Sequence, residues 1–182
     1  TGTVSSIDFG GQALTFLRSD VNGAYRSELW YLVAPASGTA AITVTLSASL
    51  TSIAGAASYW NVDQVSPIDA HAGANGTNNP ASASVTPVAE KIRVFGNSAI
   101  QTASGITDEI GQAPRYAPTG ALGTAAGAEK GTIVAPASTT LQWNGVGTLD
   151  SWAIGLAALR PLVAAAFVPY QPWLQRGSVL AQ

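Results

Sequence analysis

Residues 28–69, ELWYLVAPASGTAAITVTLSASLTSIAGAASYWNVDQVSPID, carry almost no charge and read as three consecutive β-strands joined by turn-forming residues. The clearest lies in the middle, where Ile42, Val44 and Leu46 alternate with Thr43, Thr45 and Ser47. A period of two puts three aliphatics on a core face and hydroxyls on the other, as in a half-buried antiparallel strand. Residues 28–33 form the strand before it, and Pro35 to Gly38 make the turn between them, Pro presetting φ and Gly closing. Residues 56–62 supply the third strand, with Tyr59 and Trp60 on opposite faces.

The flanks continue the pattern. Val4, Ile7 and Phe9 lead into Gly10-Gly11 and then residues 13–17, two strands joined at a glycine pair able to take the positive φ of a tight hairpin. Residues 20–23 are a turn cluster. From Pro67 to Pro87 the composition shifts to Ala, Gly, Asn, Ser and Pro, which predicts a long exposed excursion with little capacity to build core. Ile92, Val94 and Phe95 mark a following strand. Residues 98–131, rich in Gly, Ala and Pro, contain short strands without clear positions. Residues 139–143 and 151–159 are the last two strands, joined at Asn144-Gly145. No helical periodicity runs anywhere, so the expectation is an all-β, antiparallel β-sandwich, jelly-roll-like, over residues 1–162, followed by an extended arm over 163–182.

Only 10% of the 182 residues are charged, against about a quarter in an ordinary soluble protein. A surface so poor in charge is expected to be covered by neighbours or hydrated by hydroxyls. The net charge of -2 and eight scattered basic residues leave no stripe to follow a phosphate backbone, so no nucleic-acid partner is expected. Cysteine is absent, which excludes disulfides and thiolate chemistry. Methionine is absent too, so Thr1 is not expected to be an initiator, and the chain reads as processed, cut from a longer precursor, or the ordered part of one. The most apolar segment, residues 153–168, is broken by Arg160 and Pro161 and falls short of the roughly 20 residues of a spanning helix.

Candidate chemistry is sparse. His71 is the single histidine, in the Gly/Asn-rich excursion and without a nucleophile motif. Asp63 and Asp69 flank Pro67 and are two of the ligands a calcium site would need, against the simpler reading of Asp63 as a turn cap. Asp108-Glu109 reads as a solvated acidic pair. Of the five tryptophans, Trp30, Trp60, Trp143 and Trp152 fall in strand-like segments that favour burial, and Trp173 lies in the tail. Asn75-Gly76-Thr77 matches a glycosylation sequon. No catalytic residue, cofactor site or metal site is assigned.

The succession IDFGGQALTFL, ELWYLVAPASGTAAITVTLS, ASYWNVDQVSPID and SWAIGLAALRP resembles a family of jelly-roll-like β-sandwich domains in bacterial and phage-associated structural proteins. Its landmarks are the Gly10–Leu14 hairpin, Leu29-Trp30 leading to Pro35 and Gly38, the Val62-Asp63-Gln64 corner to Pro67, and Trp152. Members place a further strand before the hairpin. Its absence here implies either an open edge filled by strand addition from another chain or a cleaved upstream piece, or upstream residues that were simply processed away. Beyond the resemblance, Pro169 and Pro172 favour an extended tail, and Phe167, Tyr170, Trp173 and Leu174 supply interface anchors, while Arg176 reads as a solvated charge, with pairing to a carboxylate or phosphate the alternative. The alternative is a tail folded back on its own sandwich. The expected function is that of a structural subunit, a capsid decoration or minor capsid protein of a phage virion or a subunit of an extracellular filament, with homo-oligomer or other structural partners. The alternative is a secreted carbohydrate-binding module, with an enzyme a distant third.

Overall fold

The structure, a computed structural model, describes residues 2–101, 106–117, 119–120, 123–134, 136–145 and 150–162. Among these residues the chain forms strands and no helix. In order they are β1 (Val4–Phe9), β2 (Gln12–Ala13), β3 (Thr15–Asn22), β4 (Tyr25–Tyr31), β5 (Ile42–Leu46), β6 (Ile68–Gly76) and β7 (Ala81–Val85). There follow β8 (Ile92–Ile100), β9 (Thr107–Asp108), β10 (Ala113–Tyr116), β11 (Thr119–Gly120), β12 (Gly123–Ile133), β13 (Thr139–Asn144) and β14 (Trp152–Leu159).

Two antiparallel sheets face one another across the core. The larger has the order β10-β12-β8-β14-β6, with β11 beside β12, and the smaller β7-β13-β9. Pairing is nested: β6 with β14, β7 with β13, and β8 with β12. Their inner faces follow the two-residue period, with Ile92, Val94 and Ile100 of β8, Ile154 and Leu156 of β14, and Leu141 and Trp143 of β13 fully buried. At about 1.5–3 kcal/mol for each large side chain removed from water, this contact dominates the stability of the fold.

The 67–87 excursion is corrected by the structure. Ala81, Ala83 and Val85 of β7 are buried, and β6 is a full strand of the larger sheet. The pattern Ala-Ser-Ala-Ser-Val does alternate, but its apolar positions are too small to register as hydrophobic in sequence. They pack because the facing sheet supplies the bulk. The Gly/Ala-rich region after residue 98 likewise contains β12, the longest strand. The last two strands do not pair with each other, since β13 joins β7 and β9 while β14 joins β6 and β8.

A third layer covers the outer face of the larger sheet. The β3–β4 hairpin, turned at Gly23 (φ 60°), lies across β14, β6 and β8. β3 continues through Asn22, so the expected turn cluster shrinks to its last residue and Ala24. Gly73 and Gly155 permit this approach. A Cβ on Gly155 would stand 3.2 Å from Leu29 Cδ1 and 3.3 Å from Asp20 Oδ2, and one on Gly73 would overlap the Asp20 carboxylate and the Arg18 guanidinium. Polar bonds fix the register between layers: Asn97 Nδ2 donates to the Glu28 carbonyl (2.9 Å), Ser27 Oγ to Asn97 Oδ1 (2.8 Å) and Asn22 Nδ2 to the Gly76 carbonyl (2.6 Å).

The remaining sheet has the order β2-β1-β5. Gly10 (φ 57°) and Gly11 (φ 84°) make the hairpin turn, setting Phe9 opposite Gln12. β5 pairs along the other side of β1, with Val44 opposite Ile7, so β1 has a partner on both sides. This sheet stands away from the sandwich core. Val44 and Leu46 are therefore only half-buried and Ile42 is exposed, in contrast to the core face expected from their alternation. Residues 56–62 form no strand, and Val62 makes a single bridge to Pro161.

Candidate functional site

The feature of the surface that most calls for explanation is one end of the sandwich, where β6 and β8 begin and β12 and β14 finish. Exposed there are Trp60 (92%), Val65 (91%), Val88 (78%), Val134 (72%) and Leu162 (52%). Large apolar side chains scattered singly are ordinary, and five gathered on one end are not.

These positions are held firmly. The 61–67 segment runs antiparallel to the end of β14: Asp63 N donates to the Arg160 carbonyl (2.9 Å), Arg160 N to the Pro67 carbonyl (2.8 Å) and Leu162 N to the Asn61 carbonyl (2.9 Å). Asp63 Oδ1 accepts from Val65 N (2.8 Å) and Ser66 N (2.9 Å), the turn-capping role expected of it. The backbone bonds from Ser66 and Val65 hold its carboxyl below the usual range. Val65 is thereby presented at the tip of a closed turn.

Asp69 is the fastening beneath this end. Its side chain is fully buried. Oδ2 accepts from Val88 N (2.6 Å) and Ala89 N (3.2 Å), and Oδ1 from Arg160 Nη2 (2.8 Å). Burial pushes its carboxyl up, but the Val88 and Ala89 N–H groups and Arg160 outweigh this, and it sits below the ordinary carboxylate range. One carboxylate thus ties the start of β6, the 88–89 turn and the end of β14 together. With its oxygens so engaged, Asp69 is not a free ligand, and no group of three or more His, Asp or Glu among the described residues is placed to hold a metal ion.

A second charged cluster was not anticipated from sequence. Glu129 on β12 is buried on the outer face of the larger sheet, its Oε1 accepting from both Arg93 and Arg115. Its Oε2 accepts from the Tyr59 hydroxyl at 2.7 Å. Burial raises the Glu129 carboxyl, yet the bonds from Arg115 and Tyr59 and the charges of the two arginines bring it below its usual value. Both guanidiniums are over 40% exposed, so the cluster is a strut with a solvated rim. It explains why Tyr59 turns inward while Trp60, its neighbour, points out. The lone signal in sequence was the Tyr-Trp pair, which the strand expectation buried wrongly at Trp60.

The other candidates fall separately. Trp143 and Trp152 are buried and Trp30 is half-buried. His71 lies on β6, exposed, with Nδ1 3.0 Å from Arg18 Nη1. Asp108 and Glu109 are half-buried, and Glu109 Oε2 accepts from Gln142 Nε2 (2.7 Å) and Asn144 Nδ2 (3.3 Å). Burial pushes the Asp108 carboxyl up. A depression of about 250 Å³ lies between β1 and the β3–β4 hairpin, below the usual size of a small-molecule site, and its Glu28 is already bonded to Trp30 Nε1 (3.1 Å) and Val4 N (3.3 Å). Phe167, Tyr170, Trp173, Leu174 and Arg176 lie outside the described residues. No helix among the described residues is long and apolar enough to cross a membrane.

Fold and surface together define an antiparallel all-β sandwich with a fixed apolar end. No protein-family model, curated protein or solved structure matches the chain.

Proposed function

We propose that this protein is a structural subunit of a large assembly, of the kind found in phage virions as capsid decoration or minor capsid proteins, and that it acts through subunit contacts at the virion or extracellular surface. The observation that carries this reading is the apolar end of the sandwich. Trp60 and Val65 are almost wholly exposed, yet the backbone around them is bonded to β14. A backbone held in this way is preorganised for a partner, because little of its own conformational entropy remains to be lost on contact. The low charge content, 10%, supports the same reading. The nested pairing of β6–β14, β7–β13 and β8–β12 supports a jelly-roll winding from one long ribbon, with β10 departing by pairing with β12.

Mass photometry and negative-stain electron microscopy of the full chain, over nanomolar to high micromolar concentration, test the proposal. Regular oligomers, rings or filaments are expected. A dispersed monomer throughout overturns it.

The exposure of Trp60 also favours a second reading, a carbohydrate-binding module in which the indole stacks on a sugar ring. A glycan array answers it: saturable binding lost in W60S supports the module, and an empty array removes it.

A further inference from the structure

The described chain reaches its last residue, Leu162, on the apolar end itself, where Leu162 N donates to the Asn61 carbonyl. Twenty residues follow, 163–182, in which Arg176 is the lone charge and Phe167, Tyr170, Trp173 and Leu174 are large and apolar. Residues 163–166 read Val-Ala-Ala-Ala, with no Gly, Pro, Asn or Asp to reverse the chain. Beyond them Pro169 and Pro172 favour extended backbone. At about 3.3 Å per residue, the stretch from Leu162 to Trp173 has a reach of at most about 36 Å, against a domain about 40 Å across. A segment of that length, starting at Leu162, is long enough to meet the same end of a neighbouring copy.

We infer that the apolar end formed by Trp60, Val65, Val88 and Leu162 is the acceptor for the 163–182 arm of a second copy of this chain. The inference rests on the assembly reading and names its contact. The acceptor has the chemistry the arm requires. Trp60, Val65, Val88 and Leu162 are exposed and apolar, and the charges beneath them, Asp69 and Arg160, are paired with each other. Each copy carries both donor and acceptor at one end, which closes a pair when two copies exchange arms and propagates a chain when each arm passes to the next copy. Four aromatic or aliphatic anchors on a segment with one charge are the composition of an interface hot spot.

Two full-length variants separate donor from acceptor. W60S/V65S removes the acceptor, and F167S/Y170S/W173S removes the donor anchors. Because Trp60 and Val65 are solvent-exposed, the acceptor variant keeps its fold, which circular dichroism checks. Sedimentation velocity is expected to show the wild-type chain associated and each variant at least tenfold weaker. An equimolar mixture of the two is expected to recover a heterodimer, since each then lacks a different half of the contact. A mixture that stays monomeric, while both variants alone are monomeric, overturns the inference. Wild-type association unchanged in W60S/V65S also overturns it but leaves the assembly reading intact, whereas a monomeric wild type removes both.

Discussion

The hydroxyl of Tyr59 donates to Oε2 of Glu129 at 2.7 Å, and this bond secures a strandless segment to the face of a sheet rather than to its edge. The next residue, Trp60, is then turned outward and almost fully exposed. A buried carboxylate on β12 therefore helps to determine which aromatic the molecule shows to its surroundings.

Removing that carboxylate is expected to weaken the fold. E129A leaves the Tyr59 hydroxyl without its acceptor, while the two arginines, being partly exposed, turn to solvent. The expected loss is about 1–3 kcal/mol, below that of a fully buried broken pair. Y59F keeps the edge contact with Phe95 (6.3 Å) and is expected to cost about 0.5–1.5 kcal/mol. Urea denaturation measures both, and E129A as stable as the wild type would show the cluster to be incidental.

Stability is expected to fall on both sides of neutrality. Asp63, Asp69 and Glu129 titrate in the folded state below their ordinary values of 3.8, 3.8 and 4.5. A carboxyl that takes up protons less readily when folded contributes stability above its unfolded value. That contribution is lost as pH falls from about 4 through the folded value. Asp108, raised by burial, works in the opposite sense and offsets part of this limb. On the alkaline side, burial pushes the Tyr116 phenol up to about 12. Stability from this phenol is full below pH 10.0, the unfolded value, and is lost as pH rises through the folded one. Denaturant midpoints between pH 3 and 11 trace both limbs. The Tyr59 phenol, also pushed up by burial, acts in the same sense, so Y116F is expected to lessen the alkaline limb, and stability increasing below pH 4 would contradict the assignment of Asp63, Asp69 and Glu129.

G73V is expected to lift the β3–β4 hairpin from the larger sheet, because a side chain there meets Asp20 and Arg18. The cost, about 1–3 kcal/mol as for other overpacked sites, should be accompanied by faster amide exchange in β3 and β4 than in β8 and β14. Uniform exchange across all four strands would mean that the hairpin and the sandwich open as one unit.

Acrylamide quenching separates the tryptophans. At concentrations low enough to dissociate the chain into monomers, Trp60 is open to the quencher, while Trp143 and Trp152 are shielded. W60F is expected to lower the quenchable fraction of the fluorescence with the melting temperature within 2–3 °C of wild type, as for an exposed site whose replacement costs under about 0.5 kcal/mol. An unchanged quenching curve would place Trp60 under cover.

Much of the fold can be read locally. Gly10-Gly11 needs positive φ and obtains it, residues 92–95, 139–143 and 152–159 lie in strands, and Asp63 caps its own turn. Each follows from backbone freedom, a two-residue period or a bond within three positions. The acceptor surface was legible only in its pieces, since Trp60 among strand-forming neighbours looks the same whether it turns in or out.

The amino-acid sequence by itself determined that this chain is antiparallel β-structure with short turns, because alternation and turn chemistry are properties of neighbouring residues. Tertiary structure alone decided which segments are core. Ala81, Ala83 and Val85 are buried because Ile154 and Leu156 belong to the sheet opposite theirs, and β12 tolerates Gly and Ala because it is covered on both sides. It also decided that Tyr59 faces Glu129, 70 residues away, and that Trp60 faces out. Burial depends on which distant segment lies across the gap, and that is set by chain winding rather than by the residues on either side of a position.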